Sequence, residues 1–212
     1  MVKEKMVSLA VNGGIQYGGS KLTGKQLIVL GKHLDEDQEV ELTTFQSIYI
    51  KVPESKVDPV QKELQEVGFS VYKNGPYVKN LRTCSFCKGE EKEGMPIAIE
   101  LNKRIAGKEV PFPLRPSYTG CPNACGEPLV NDIGVLKRGE TYEVYIGGQA
   151  TGTDAKAGML FEEGMTPEQL YTCVDRIIEV YKENGKKREK FSKFINRYGF
   201  DSVKRDVCII EE

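Results

Sequence analysis

Six cysteines fall unevenly along this chain, and their grouping constrains it more than any other feature. Cys84 and Cys87 form a C-x-x-C pair, Cys121 and Cys125 form a C-x-x-x-C pair, and Cys173 and Cys208 stand alone. No apolar stretch of signal-peptide length follows Met1, which predicts a cytoplasmic protein whose cysteines are thiols or metal ligands rather than a disulfide framework. Four thiolates in two close pairs can hold a tetrahedral zinc or a [4Fe–4S] cluster. Three features favour the cluster. The second pair, Cys121-Pro122-Asn123-Ala124-Cys125, is longer than a zinc knuckle and contains proline. A predicted helix and an extended segment separate the two pairs, too far for a zinc ribbon. Gly120 and Gly126 bracket the second pair and let backbone N–H groups approach sulfur. On spacing alone, zinc and metal-free buried thiols stay open beside the cluster. Cys173, in an amphipathic helical pattern, and Cys208, in an apolar tail, read as inert thiols.

The rest of the chain must supply the scaffold. Its 212 residues suffice for one large domain or two small ones with a sizeable core. No apolar run approaches the roughly 20 residues of a membrane span. A formal net charge of −1 argues against broad electrostatic binding to nucleic acid, though not against a local basic patch, and a single histidine, His33, excludes every multi-histidine site. His33 itself reads as a surface or packing residue.

Apolar residues alternate cleanly over 40–52, which predicts one long strand or two strands meeting at a bend. A helix precedes it, with Leu27, Ile28, Leu30 and Leu34 at helical spacing and Thr23 as N-cap. Asp58-Pro59 opens another, with Val60, Leu64 and Val67 as its stripe and Gly68 as its stop, and a strand over 69–72 follows. Residues 1–75 are therefore expected to be an α+β half-domain with helices on one face of an antiparallel sheet. Residues 76–212 hold the cysteines. Here the pattern predicts a helix over 96–106 and an extended stretch over 110–118 that its three prolines should confine to an edge or a channel wall. A hairpin over 133–148 comes next. Thr166-Pro167-Glu168-Gln169 is a capping box, opening a helix with Leu170, Val174, Ile177, Ile178 and Tyr181 inward. A last helix, ending at Gly199, gathers Phe191, Phe194, Ile195 and Tyr198.

The segment Ser117-Tyr118-Thr119-Gly120-Cys121-Pro122-Asn123-Ala124-Cys125, followed by Asn131-Asp132-Ile133-Gly134, resembles the second cysteine motif of the sirohaem-dependent nitrite and sulfite reductases. The likeness continues through Tyr145-Ile146-Gly147-Gly148, the helix after Thr166, and residues 188–199. Upstream, Leu42-Thr43-Thr44-Phe45-Gln46 and the helix at Asp58 look like that family's ferredoxin-like half-domain. The resemblance implies an α+β fold, a ferredoxin-like half-domain followed by an α/β [4Fe–4S]–sirohaem domain, in a single half-repeat. It further implies a [4Fe–4S] cluster on Cys84, Cys87, Cys121 and Cys125, with Cys125 bridging to the sirohaem iron.

Sirohaem is an acidic tetrapyrrole, so its carboxylates call for basic side chains and backbone donors. Family positions map onto Gln46, Lys79, Asn80 and Asn123, while Arg82 and Arg115 are local candidates. Gly147, Gly148 and Gly152 could leave open N–H groups near Lys156. Lys79, Arg82 and Arg115 are the candidates for catalytic roles toward a small anionic substrate, sulfite or nitrite. The expected electron donor is a protein such as a ferredoxin, and a homodimer would reproduce the two half-repeats of larger members.

The departures from the family pattern are specific. The first pair is C-x2-C where the family spaces it C-x5-C, with Leu81 at the place expected for the first ligand. Phe45 replaces an arginine, and Leu114-Arg115-Pro116-Ser117-Tyr118 replaces a lysine-rich segment. Those basic residues grip the oxyanion in the family, so the alternative reading is a non-catalytic [4Fe–4S] electron carrier or partner subunit on the same fold.

Overall fold

The computed structural model describes residues 4–87 and 90–208, with the backbone alone at 90–92. The alternation over 40–52 resolves into two strands rather than one. β2 (Glu41–Leu42) and β3 (Ser47–Pro53) pair antiparallel across a turn, at whose end Gln46 takes φ 56°. The Asn12 side-chain amide donates to the Gln46 carbonyl and fixes this turn. β1 (Met6–Asn12) and β4 (Ser70–Lys73) complete an antiparallel sheet in the order β2-β3-β1-β4, with Leu9 opposite Ile50 and Lys73.

On this sheet lie α1 (Gly24–Gly31) and α2 (Val57–Glu66). Thr23 and Gln26 form a full capping box at the start of α1. Its inward face is Gln26, Val29 and Leu30, while Leu27 and Ile28 are 52% and 67% exposed, contrary to expectation. Four consecutive apolar residues cannot fix the phase of a helix this short, and packing on the sheet chose it. The α2 stripe is as expected, with Val60 and Leu64 buried and Gly68 at φ 89° closing the turn. His33 stands just after α1 with Nε2 3.2 Å from Glu63 of α2, a packing position.

The second sheet runs in the order β5 (Arg82–Thr83), β6 (Pro116–Thr119), β7 (Ile133–Arg138), β8 (Thr141–Ile146), β9 (Met159–Met165). β5, β6 and β7 are parallel, whereas β7, β8 and β9 are antiparallel. Parallel neighbours need a crossover, and α3 (Glu90–Ile105) provides it between β5 and β6. This helix starts before the predicted residue 96 and carries Pro96 inside it. β6 is an interior strand rather than an edge, Pro116 being tolerated as its first residue, while Phe112, Pro113 and Arg115 wall a cleft, the other expected position.

α4 (Pro167–Asn184) opens on the predicted capping box and buries all five predicted inward residues. α5 (Phe191–Tyr198) ends at Gly199, φ 96°, as expected, but it is not the last helix: α6 (Phe200–Cys208) follows directly. The helices and sheet enclose one core around Leu101, Ile105, Leu114, Tyr118, Val144 and Ile178, distinct from the first sheet's. Among the described residues, no helix is long and apolar enough to cross a membrane.

Candidate metal centre and adjoining cleft

The parallel pairing of β5 with β6 brings the two cysteine motifs together. Parallel strands finish at the same edge, and open α/β sheets build sites beyond those ends. Arg82 and Thr83 pair with Ser117 and Tyr118, so Cys84 leaves β5 where Gly120 and Cys121 leave β6. The Cys84 N–H donates to the Tyr118 carbonyl at 3.2 Å, and the Gly120 N–H donates to Cys84 Sγ at 3.3 Å. Burial pushes the Cys84 thiol up, opposed by N–H groups of Gly120 and Phe86; charge on Cys121 and Cys125 pushes it further, as expected for sulfurs sharing one locality.

Cys84 and Cys121 are half-buried, Cys87 and Cys125 exposed. Among the described residues, no three His, Cys, Asp or Glu side chains converge tightly enough for a single metal ion. Four thiols with a backbone N–H donor to one sulfur make a donor set of the kind iron–sulfur clusters use. Cys173, half-buried on α4, and Cys208, exposed at the end of α6, line a separate hollow of about 370 Å³ and lie apart from this group. The apolar residues after Cys208 lie outside the described residues.

Between the cysteine edge and the first sheet lies a cleft of about 460 Å³, within the range of small-molecule sites. Cations and two rings, Phe45 and Phe112, are prominent in its lining. Phe45, on the turn between β2 and β3, is 7% exposed and has Arg115 Cζ at 5.7 Å, Lys79 Nζ at 5.8 Å and Arg82 Cζ at 6.0 Å from its centroid. Contacts of this kind are worth about 0.5–1 kcal/mol each when exposed. Arg82 also pairs with Glu127 at 2.7 Å. Arg115 has no ion pair within 4 Å among the described residues, so its charge is the more available. Lys190, the N-cap residue of α5, adds a third cation to the lining, beside Ser192 and Gln149, which bond each other at 2.6 Å. Three cations against the carboxyl groups of Glu127 and Asp132 leave the lining suited to an anionic group.

The predicted site residues divide among several positions. Arg82, Arg115 and Gly148 line the cleft. Gln46 stands beside it with its amide turned to the backbone of Thr83: Nε2 donates to the carbonyl at 3.3 Å, and Oε1 accepts the N–H at 3.5 Å. It therefore braces the residue before Cys84. Lys79 and Asn80 line a different, small hollow; the Lys79 ammonium bonds the Tyr49 hydroxyl, and Asn80 Oδ1 accepts from Asn102 at 3.4 Å. Asn123 is exposed within the second cysteine loop. Gly147, at φ 78°, packs near Ile195. A Cβ on Gly148 would stand 2.5 Å from the Asn131 carbonyl oxygen, so glycine there serves close backbone packing.

Phe45, Asp132 and Lys190 were not foreseen as cleft residues. Lys190 reads in sequence as a solvated helix start, and only the fold carries it to the cleft. For Asp132 the adjacent Asn131-Asp132 motif was the available signal. Its carboxylate accepts the Arg115 N–H at 2.8 Å, and burial pushes it up to about 7.

Residues 78–212 match the family described as the nitrite and sulphite reductase 4Fe-4S domain. The cobalt-factor III methyltransferase of Priestia megaterium is 31% identical over 202 residues, covering 93% of this chain and 37% of that protein. The assimilatory-type sulfite reductase of Nitratidesulfovibrio vulgaris is 23% identical over 170 residues, covering 79% of this chain and 78% of the relative. The solved NirA protein of Mycobacterium tuberculosis superposes with a TM-score of 0.70 at 13% identity, over 95% of this chain and 39% of that one, a likeness of fold. The chain thus spans little more than a third of the methyltransferase and of NirA.

Proposed function

The chain belongs to the nitrite and sulphite reductase 4Fe-4S domain family, and from that premise we propose that it is a redox protein that passes electrons from a [4Fe–4S] cluster to a sirohaem-bound oxyanion. Cys84, Cys87, Cys121 and Cys125 are the cluster ligands, Cys125 being the one shared with the haem iron. The single observation that carries this reading is the convergence of both cysteine motifs at the ends of adjacent parallel strands, beside a cleft lined with cations. When bound, the cluster and sirohaem would supply one-electron chemistry toward sulfite or nitrite.

The chain's own residues provide the rest. Arg115 and Lys190, with no ion pair within 4 Å among the described residues, offer charge to the macrocycle's carboxylates, and Arg82 contributes through a guanidinium already shared with Glu127. The Gly120 N–H bonds the Cys84 sulfur and tunes it as such bonds do in iron–sulfur sites. Phe45 gives the cleft an apolar face and holds Lys79, Arg82 and Arg115 around it. The donor would be an electron-transfer protein such as a ferredoxin, and a homodimer would supply a second half-repeat.

A second reading is favoured by two observations. Identity to the cobalt-factor III methyltransferase reaches 31% over 93% of the chain, and an apolar ring occupies the centre of the cation cluster where a small oxyanion would need open charge. In that reading the chain is a non-catalytic [4Fe–4S] electron carrier or partner subunit on the same fold. Anaerobic loading with iron, sulfide and sirohaem separates the two. Sulfite- or nitrite-dependent oxidation of a reduced donor by the doubly loaded protein supports the first. A cluster that cycles between redox states without turnover supports the second.

A further inference from the structure

We propose that Gly18 is a positioning residue for the cysteine centre: its N–H holds the Ser85 carbonyl and so aims the N–H of the same peptide, that of Phe86, at the Cys84 sulfur. The proposal rests on the reading of Cys84 as a cluster ligand. Residues 13–22 join β1 to α1 and form a strap that reaches the first cysteine loop, where the Gly18 N–H donates to the Ser85 carbonyl at 2.8 Å. Ser85 is the first residue inside the C-x-x-C pair and is exposed, so no core packing fixes its carbonyl. Peptide bonds among the described residues are trans, and a trans peptide carries its C=O and N–H on opposite sides of one plane. With the oxygen held by the strap, the nitrogen must face the other way. The Phe86 N–H is accordingly one of two backbone donors on the Cys84 sulfur, the other being Gly120.

The strap is itself firmly built. Asn12 Oδ1 accepts the Gly14 N–H at 2.8 Å, the Gln16 amide donates to the carbonyls of Gly13 and Lys21, and the Lys21 ammonium donates to the Tyr17 carbonyl at 3.2 Å. Ile15 packs against the second core. Gly18 and Gly19 take φ of 77° and 92°, where a side chain is strained, so the turn that presents the Gly18 N–H calls for glycine. On the other side of Cys84, Gln46 holds the backbone of Thr83. The first half-domain therefore grips both neighbours of Cys84 although it contains no cysteine. Rotating the Ser85–Phe86 peptide by half a turn would return Phe86 from φ 48° to the negative φ ordinary for a non-glycine residue. Ring packing and the Gly18 bond together hold it against that relaxation. Hydrogen bonds to sulfur are among the factors that set iron–sulfur reduction potentials. An N–H aimed at sulfur favours the more negative, reduced centre, so losing it lowers the potential.

The full chain, reconstituted anaerobically with iron and sulfide, is the protein to test. Pulsed EPR of the reduced centre in ¹⁵N-phenylalanine-labelled wild type reads the Phe86 nitrogen directly. A resolved ¹⁵N coupling is expected, assigned to Phe86 by its disappearance in Phe86→Leu. Gly18→Pro has no N–H to give and cannot adopt a positive φ. It should lose the coupling at unchanged iron and sulfide content, and at a fixed poise its ratio of reduced to oxidised centre should fall about three- to tenfold, tenfold being about 59 mV for one electron. Gly18→Asn keeps the N–H and tolerates the left-handed region, so it should restore both readings. Gly18→Val keeps the N–H but displaces the strap, and it reads the same two quantities should the proline variant not fold. A loaded wild type without the ¹⁵N coupling, or a coupling and potential unmoved in Gly18→Pro and Gly18→Val, overturns the proposal and leaves the cluster reading standing. A wild type that takes up no four-iron centre overturns both.

Discussion

The two cysteine loops lie side by side beyond β5 and β6, yet different forces hold them there. The 84–87 loop is plugged into the core by Phe86, 1% exposed, whose ring stacks on Tyr118 at 5.9 Å. The 121–125 loop has no such plug; Pro122 and Asn123 are exposed. It is shaped by backbone bonds, from Ala124 N–H to the Cys121 carbonyl and from Glu127 N–H to the Ala124 carbonyl, and Gly126 N–H donates to Thr119 Oγ1 at 2.8 Å. Each loop carries one left-handed non-glycine residue between its cysteines, Phe86 at φ 48° and Ala124 at φ 56°. Such conformations persist only where surroundings impose them and cluster at functional sites. Packing imposes the first and hydrogen bonding the second, so the two halves of one centre should fail in different ways.

The largest effect is expected from Phe86→Ala, which removes a fully buried ring and should cost about 3–5 kcal/mol in chemical denaturation. Cluster content should fall with it, while Phe86→Leu should recover most of both. Gly126→Ala attacks the other loop, because its Cβ would stand 2.2 Å from the Tyr118 carbonyl oxygen. A cost of about 1–3 kcal/mol is expected, of the kind overpacking produces, with slower exchange of the Gly120 amide lost. Gln46→Leu removes the brace on Thr83 and should cost about 0.5–1.5 kcal/mol, with the spectrum of a loaded centre perturbed more than global stability. Arg82→Gln should change stability by less than about 1 kcal/mol, since its pair with Glu127 is partly exposed. Its effect should appear instead as weaker porphyrin affinity, read by fluorescence titration. Equal losses from Phe86→Ala and Gly126→Ala in both stability and cluster content would remove the distinction between the loops.

The sequence carried local structure well and long-range placement poorly. The α4 capping box and its five inward residues were legible because periodicity and cap lie within one segment. β9 is not, since its burial pattern shows no strict alternation, and β1, one of the two interior strands of the first sheet, is likewise absent from the sequence reading. At the site, cysteine spacing and the family motif together nominated the four thiols. Nothing local could show that Phe45 stands among cations from three later segments, or that Lys190 reaches the same cleft, because these meetings depend on the packing of the two sheets. Gln46 was picked out as a cofactor contact, while its visible partner is the backbone of Thr83; a side chain's target is set by tertiary geometry that a motif does not encode.

The claim on which the account turns is that four thiols from two strand ends hold one cluster. Iron and acid-labile sulfide analysis with Mössbauer spectroscopy, on anaerobically reconstituted wild type and the six single Cys→Ser variants, tests it most directly. The account predicts about four irons and four sulfides per chain, lost on substituting Cys84, Cys87, Cys121 or Cys125 and retained on substituting Cys173 or Cys208. A Cys125→Ser protein with an intact cluster, or a wild type that takes one zinc in preference to iron and sulfide, would contradict it.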